Sequence, residues 1–303
     1  MSTSTKWFLV VLGVLALIAI GFVVLFLALS SMLTTDVATE TVVSGSGDKI
    51  AVVELKGVIS SSDEIVRQLK KYRENKGIRA ILLRVDSPGG GVVASQEMYE
   101  EVKKTRDGGK PVVVSMGSLA ASGGYYVSCG ASRLVANRGT LTGSIGVISE
   151  FLQLQGAMDK LGVGIKTIKA GSLKDAGSPV RPMNDADQKY FQGLMDDVHR
   201  QFIAVVESER KIPHDQVLAI ADGRVFTGEQ ALPLHLIDTL GTYEDAVRIT
   251  AGLAGIKGEP ALVRERYRRS WFQSFFGDAG ETLKDIKQEL LDRPVLSFRF
   301  NQP

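Results

Sequence analysis

Short apolar runs alternate with amphipathic stretches from residue 49 onward, and this pattern constrains the fold more than any other feature. The runs KIAVVEL, IRAILLRV and PVVVSM are rich in β-branched residues, as strands are. The first two are followed by apolar residues at helical spacing, and the third by a stretch of small residues. The order βαβαβα, with strands that are apolar at consecutive positions, is typical of a parallel sheet covered on both faces. We therefore predict an α/β fold.

The second half of the chain continues the pattern. Further strands are predicted at RLVAN, GVISEF and VGIKTIK, and helices over residues 185–207 and 243–254. From Val263 the character changes, because RERYRRSWFQSFF mixes basic and aromatic residues and TLKDIKQELL has a helical period. Three interpretations of this segment stay open: an arm on a partner subunit, a helix at a membrane surface, or a solvated helix.

A long apolar segment precedes the predicted sheet. Residues 7–29 contain no charged side chain over 23 positions, which as a helix spans roughly 34 Å against a hydrocarbon core of about 30 Å. We predict an uncleaved transmembrane anchor over residues 1–33 that contacts lipid through residues 7–29. Cleavage after a secretory signal stays an alternative, since ALS at residues 28–30 fits a cleavage site.

The charges beside the apolar segment set its predicted orientation. Lys6 precedes it, whereas Asp36 and Glu40 follow it, so the positive-inside rule places the N-terminus in the cytoplasm and the body outside. We therefore predict a single-pass protein of the plasma (inner) membrane. The predicted divisions are the anchor (1–33), a small polar linker (34–48), an α/β domain (49–258) and a C-terminal arm (259–303).

Composition excludes several classes of function. Thirty-six Lys and Arg against 34 Asp and Glu leave a net charge of +2, which argues against a nucleic-acid partner. The one cysteine, Cys129, cannot form an intramolecular disulfide. With only three histidines beside it, a zinc cage is improbable. We predict neither a metal nor a cofactor.

A glycine-rich loop follows the second predicted strand. It reads Asp-Ser-Pro-Gly-Gly-Gly over residues 86–91, and ligands gather at the carboxyl ends of parallel strands. Glycines let backbone amides approach a ligand closely. Phosphate-binding motifs are absent from the sequence. Two interpretations remain, an oxyanion hole and a plain glycine-rich turn.

Ser122 follows the third strand, in the stretch GSLAASGGYY. A serine near a helix N-terminus is most often a cap, and Ser118 fits that role equally well. As a nucleophile, Ser122 would need a base, because a free hydroxyl attacks poorly near neutral pH. No G-x-S-x-G elbow is present, and none of the histidines directly follows a strong strand, so a Ser-His-Asp arrangement is disfavoured. The three histidines are His199, His214 and His235.

Lys174 is the other candidate base. It lies in the loop GSLKDAGSP after the predicted strand VGIKTIK. A lysine base has to be uncharged near neutral pH, which burial can achieve. The neighbouring Asp175 would oppose this if it faced the amine, so it has to point away or pair elsewhere. For an arbitrary lysine, a surface role is the default interpretation.

Four stretches taken together resemble the signal peptide peptidase A family, membrane-bound Ser-Lys peptidases of the ClpP/crotonase-like superfamily. They are LLRVDSPGGG, MGSLAASGGYYVSC, TLTGSIGV and GSLKDAGSPVRPM. The resemblance implies a ClpP/crotonase-like core of βαβ repeats behind one N-terminal transmembrane helix. It also implies Ser122 as nucleophile, Lys174 as general base, Gly89 and the Gly123 amide as oxyanion donors, and Ser144 as the residue that orients the lysine.

The resemblance also implies an assembly and a substrate. Members with one repeat form a dome-like homo-oligomer, with an octamer as one candidate, in which neighbouring protomers share the dyad. The implied substrates are remnant signal peptides and other extended hydrophobic segments. Two alternatives stay open, a crotonase-like acyl-CoA enzyme and a non-catalytic membrane scaffold.

Overall fold

A computed structural model of the chain describes residues 3–33, 38–267 and 297–300. In the first helix, it describes the side chains at residues 5, 7, 8 and 11–26. The chain divides into two compact units, residues 1–41 with 265–293, and residues 42–264 with 294–303.

The first unit contains helix α1 (Thr3–Leu33). Its described apolar side chains are exposed, among them Trp7, Leu17 and Phe26. Within the part of the chain that is described, no helix qualifies as long and apolar enough to cross a membrane.

The remaining helices and strands alternate along the chain. The helices are α2 (Asp63–Glu74), α3 (Val92–Asp107), α4 (Gly123–Cys129), α5 (Gln155–Lys160), α6 (Asp185–Arg210), α7 (His214–Ile220), α8 (Gly228–Ala231) and α9 (Tyr243–Leu253). The strands are β1 (Ala38–Ser44), β2 (Lys49–Lys56), β3 (Ile78–Ser87), β4 (Gly89–Gly91), β5 (Val112–Ala121), β6 (Arg133–Ala136), β7 (Leu141–Gly143), β8 (Val225–Thr227), β9 (Thr239–Leu240), β10 (Ala261–Tyr267) and β11 (Ser297–Arg299).

Most of the strands form one sheet that is largely parallel. Its main path contains the order β10-β2-β3-β5-β6-β9, and all of these neighbours are parallel. Strand β7 pairs parallel with the carboxyl-terminal part of β5, and β8 pairs antiparallel with β7. The α/β fold with a parallel sheet is confirmed.

Helices cover the sheet on both faces, as the continuous apolar strands require. On β3, Ile81 and Leu83 belong to one buried cluster, whereas Leu82 between them belongs to a second cluster. The second cluster includes Ala246 and Val247 of α9. Because successive side chains of a strand point to opposite faces, the three apolar neighbours of β3 are all buried.

Several elements differ from the sequence-based predictions. The predicted strand VGIKTIK is not a strand, and GVISEF forms only one isolated bridge, at Ile148. A strand needs a partner for its backbone groups, and Val163, Ile165 and Ile168 are instead exposed. Residues 38–44 of the predicted linker form β1, and residues 261–267 of the predicted arm form β10. The predicted helix TLKDIKQELL lies outside the described residues.

Candidate active site

Ser122 is the single residue between β5 and α4. Its φ of 53° and ψ of −116° are unusual for a residue with a side chain, and such conformations cluster at functional sites. Its N–H donates to the Gly143 carbonyl (2.8 Å), and its own carbonyl accepts from the Tyr126 N–H (2.8 Å). The residue is 1% exposed. The backbone therefore makes a sharp strand-to-helix turn at a buried serine, the geometry that nucleophilic serines use on other α/β sheets.

Ser144 follows the strand next to that of Ser122. Ala121 and Gly143 are partners in the parallel pair of β5 and β7, so the two serines leave adjacent strands at the same level. Ser144 also has a φ of 53°, and its N–H donates to the Arg224 carbonyl (2.8 Å). It is 5% exposed. The structure thus brings Ser144 beside Ser122.

The glycine-rich loop lies directly against the turn at Ser122. Gly89 has a φ of 93°, and a Cβ there would lie 2.5 Å from the backbone nitrogen of Gly123. Gly123 is the first residue of α4, where an N–H has no partner within the helix. The Gly89 N–H donates to the hydroxyl of Ser87 (3.1 Å). The two glycines are therefore in contact, and an anion at Gly89 would have to replace the bond to Ser87.

Two buried serines beside these glycines were not singled out by the sequence analysis. They are Ser87 and Ser95. The hydroxyl of Ser95 donates to the Gly91 carbonyl (2.9 Å) and lies 2.5 Å from the position that a Cβ on residue 123 would occupy. Both serines are fully buried. A hydroxyl one turn into the helix that follows DSPGGG is the sequence signal that could have indicated Ser95.

An extended segment of the same chain lies beside the loop. Strand β11 pairs antiparallel with β4, with Phe298 opposite Gly90. On its other edge, Ser297 exchanges two backbone hydrogen bonds with Ile148 (3.0 and 3.1 Å). The Phe298 carbonyl oxygen lies 2.0 Å from the Cβ position of residue 89 and 3.1 Å from that of residue 123. The groove between the loop and the segment after Ser144 therefore accepts an extended peptide.

The side chain of Phe298 fills an aromatic pocket at this point. The ring is fully buried. It stacks on Tyr126, with ring centroids 5.1 Å apart, and also contacts Phe202 at 4.8 Å. Tyr126 belongs to α4, four residues after Ser122. A large apolar side chain of an extended peptide is thus accommodated next to the candidate nucleophile.

A cavity of about 360 Å³ continues the groove past Ser144. His199 lines it, and its Nε2 lies 3.2 Å from the carbonyl oxygen of Ile145. Because a carbonyl only accepts, this nitrogen carries the proton. His214 pairs with Glu207, and His235 is exposed. Among the residues that the structure describes, no hydrogen bond joins a histidine to Ser122.

Lys174 lies in an exposed loop, and among the described residues no hydrogen bond joins it to Ser122. Within the described ranges, its side chain makes no hydrogen bond or ion pair. The same segment of the chain carries a series of exposed apolar side chains: Leu152, Leu154, Leu161, Val163, Ile165, Ile168 and Leu173. In a single copy of the chain, Ser122, Ser144, Gly89 and Gly123 are therefore assembled and Lys174 is not.

Asp175, next to Lys174, is paired, which is one of the two arrangements that the sequence analysis allowed. Its Oδ1 accepts from Nη2 of Arg181 (2.9 Å) and its Oδ2 from Nε of the same side chain (3.0 Å). Lys169 also binds this carboxylate. The hydrogen bonds from Arg181, and then from Lys169, hold the pKa of Asp175 well below its usual range. The carboxylate of Asp175 therefore stays ionised, and the positive charges of Arg181 and Lys169 balance its negative charge.

Comparisons with known proteins match this chain to two peptidase family models and to several proteins named as proteases. Residues 104–257 match the model of peptidase family S49, and residues 49–148 match that of Clp protease. A protein of Methanocaldococcus jannaschii named as a protease is 34% identical over 82% of this chain and 85% of its own length. An Enterococcus faecium protein named as a signal peptide peptidase SppA is 36% identical over 71% of this chain and 66% of the relative. Protease 4 of Salmonella typhi is 37% identical over 83% of this chain, which is 43% of that protein.

Proposed function

Because this chain belongs to peptidase family S49, we propose that it is a serine peptidase in which Ser122 is the nucleophile and Lys174 the general base. The observation that carries the proposal is the strained turn at Ser122, packed against Gly89 and Gly123 and level with Ser144. These are the groups that acyl transfer needs: a nucleophile, amides for the oxyanion, and a hydroxyl that can orient a base.

The proposed reaction is ordinary acyl transfer. The hydroxyl oxygen of Ser122 attacks the scissile carbonyl while neutral Lys174 accepts its proton. Lys174 then gives that proton to the leaving amine, and water attacks the acyl-enzyme to release the acid. The Gly123 amide and the Gly89 amide, once released from Ser87, stabilise the oxyanion. Loss of one such donor typically lowers the rate about a hundred- to a thousandfold.

A second copy of the chain supplies the base in this proposal. Two observations support it: Lys174 is exposed and has no hydrogen bond to Ser122 in the described part of one copy, and the segment that carries it exposes apolar side chains that a neighbour would cover. Assembly into a dome-like homo-oligomer would place the lysine of one copy beside Ser144 of the next. Activity would then depend on self-association.

The substrates in this proposal are extended hydrophobic peptides, including remnant signal peptides. The placement of β11 supports this class, because a peptide that adds to β4 gains main-chain hydrogen bonds. The aromatic pocket around Phe298 favours a large apolar side chain at the bond that is cut. Strand β11 is hydrogen-bonded to β4 on one edge and to Ile148 on the other, so the groove suits a single extended strand rather than a folded protein.

The proposal includes a membrane anchor. The apolar residues 7–29 support it, with the N-terminus in the cytoplasm and the catalytic domain on the outer side of the plasma membrane. Its test is protease treatment of intact spheroplasts that carry a tagged chain. Cleavage of the body would support this orientation, and full protection of the body would contradict it.

Labelling by an active-site serine probe tests the catalytic proposal. The purified full-length chain should be labelled at Ser122 and should cleave a fluorogenic hydrophobic peptide. Ser122→Ala should abolish both, and Lys174→His should slow both strongly. Undiminished cleavage by either variant would end the proposal. A wild-type chain that is never labelled would favour a non-catalytic scaffold, and binding of acyl-CoA thioesters would favour a crotonase-like enzyme.

A further inference from the structure

Arg181 makes the densest set of side-chain hydrogen bonds around the Lys174 loop. Its guanidinium binds Asp175 through Nε and Nη2 (3.0 and 2.9 Å). It also binds Asp187 through both Nη1 and Nη2, the latter at 3.1 Å. Nη1 further donates to the Pro182 carbonyl (2.9 Å). One side chain thus joins two carboxylates that lie twelve positions apart in the chain.

The Asp187 end of this bridge is fixed. Asp187 is 1% exposed, and it completes the capping box of α6 with Asn184. The same helix is held in the core by Phe202 and Val206, both fully buried. Because a fork of N–H donors on a carboxylate sets direction as well as distance, Arg181 ties the loop to a rigid helix end.

The Asp175 end lies next to Lys174. A carboxylate beside an amine stabilises the charged amine and would keep a lysine base protonated. Hydrogen bonds from Arg181 hold the pKa of Asp175 well below its usual range, and the carboxylates of Asp187 and then of Asp175, which accept those bonds, raise the pKa of Arg181. The charged groups of this loop and of the first turn of α6 are Lys169, Lys174, Asp175, Arg181, Asp185 and Asp187.

We propose that Arg181 is a positioning residue for the base: it fixes the Lys174 loop on α6 and neutralises Asp175, so that Lys174 can lose its proton near neutral pH. The inference rests on the proposed function, since it takes Lys174 as the base. It predicts an electrostatic effect on catalysis in addition to any effect on folding.

A second arginine provides the matched control. Arg248 binds Asp245, which completes the capping box of α9 in the same way that Asp187 completes that of α6. Helix α9 packs on the cluster that contains Leu82 and Val113, and Arg248 is exposed. Loss of Arg248 should therefore affect stability through a cap, as loss of Arg181 does, without changing the charge beside Lys174.

The test is the pH dependence of kcat in the full chain. In Arg181→Gln, Asp175 loses its main partner, so we expect the acidic limb to move to higher pH by about one unit. Adding Asp175→Asn removes the carboxylate, and the limb should return to the wild-type position. Arg248→Gln should leave the acidic limb unmoved. If Arg181→Gln does not fold, Arg181→Lys keeps the charge without the fork, and it should lower kcat with little movement of the limb.

Several outcomes would overturn this inference. One is an acidic limb that lies at the same pH in Arg181→Gln as in the wild type. Another is an acidic limb that is shifted as far in the double variant as in Arg181→Gln alone. In the fallback variant, kcat equal to that of the wild type would count against it. Failure of the proposed function has a different signature, because Lys174→His would then keep wild-type activity.

Discussion

Ser122 and Ser144 follow paired residues of two adjacent parallel strands, and both have a φ of 53°. Each is held by its own N–H, which donates to the carbonyl of Gly143 or of Arg224. The sheet itself therefore sets the spacing of the two hydroxyl-bearing residues. This coupling places Ser144 at the level of Ser122, the proposed nucleophile.

Removal of the Ser144 hydroxyl should slow catalysis without unfolding the protein. In Ser144→Ala, we expect kcat to fall about tenfold or more, because a base that is poorly oriented loses part of its hundred- to ten-thousandfold contribution. Steady-state kinetics with a hydrophobic peptide measures the loss. Ser128→Ala is the control, since Ser128 is also buried and its hydroxyl donates to a backbone carbonyl, that of Gly124 (2.7 Å). Equal losses of kcat in the two variants would refute a special role for Ser144.

A methyl group at Gly89 should block the proposed oxyanion site. The added carbon would meet the Gly123 nitrogen at 2.5 Å, so we expect Gly89→Ala to lower kcat at least a hundredfold, as for the loss of an oxyanion donor. Gly109→Ala is the matched control. Gly109 has a similar φ of 87°, but a Cβ there meets nothing within 4 Å. The control separates the effect of backbone strain from that of the contact with Gly123. A near-wild-type kcat in Gly89→Ala would contradict the proposal that Gly89 belongs to the oxyanion site.

Removal of β11 should make the groove more accessible. A chain that ends before residue 297 leaves the edge of β4 and the pocket at Tyr126 free, because Phe298 no longer fills them. We expect a lower KM for hydrophobic peptides and faster labelling of Ser122. Phe298→Ala, which keeps the backbone pairing, should show a smaller effect. Unchanged KM and labelling in the shortened chain would mean that substrates bind elsewhere.

Asp245 should contribute stability that disappears in acid. Hydrogen bonds from the Thr242 backbone and hydroxyl, and then from Arg248, lower its pKa to about 2. Its pKa in the unfolded chain is about 3.9, so the contribution is complete above that value and is lost as the pH falls towards 2. In Asp245→Asn, melting temperatures should drop at pH 6 and approach the wild type at pH 2. A constant difference between the two proteins at every pH would exclude this linkage.

Local sequence patterns determined the parallel sheet and the location of Ser122. Strands β2, β3 and β5 and helices α2, α3, α6 and α9 lie where the sequence pattern predicts them, because runs of consecutive apolar residues and helical periodicity are both encoded within each segment. Ser122 and the DSPGGG loop follow their strands directly. In a parallel sheet the carboxyl ends of neighbouring strands lie at the same edge. The order of the elements therefore brings Ser122 and the DSPGGG loop together.

Tertiary structure alone decided three further features. Strand β11 pairs with β4 across 207 positions of sequence between Ser297 and Gly90, and no local pattern specifies such a partner. VGIKTIK has the residues of a strand but no neighbour to pair with in the described chain. Arg181 joins Asp175 to Asp187 only because the loop folds back on the start of α6. Periodicity is a property of one segment, whereas pairing depends on which segments meet in space.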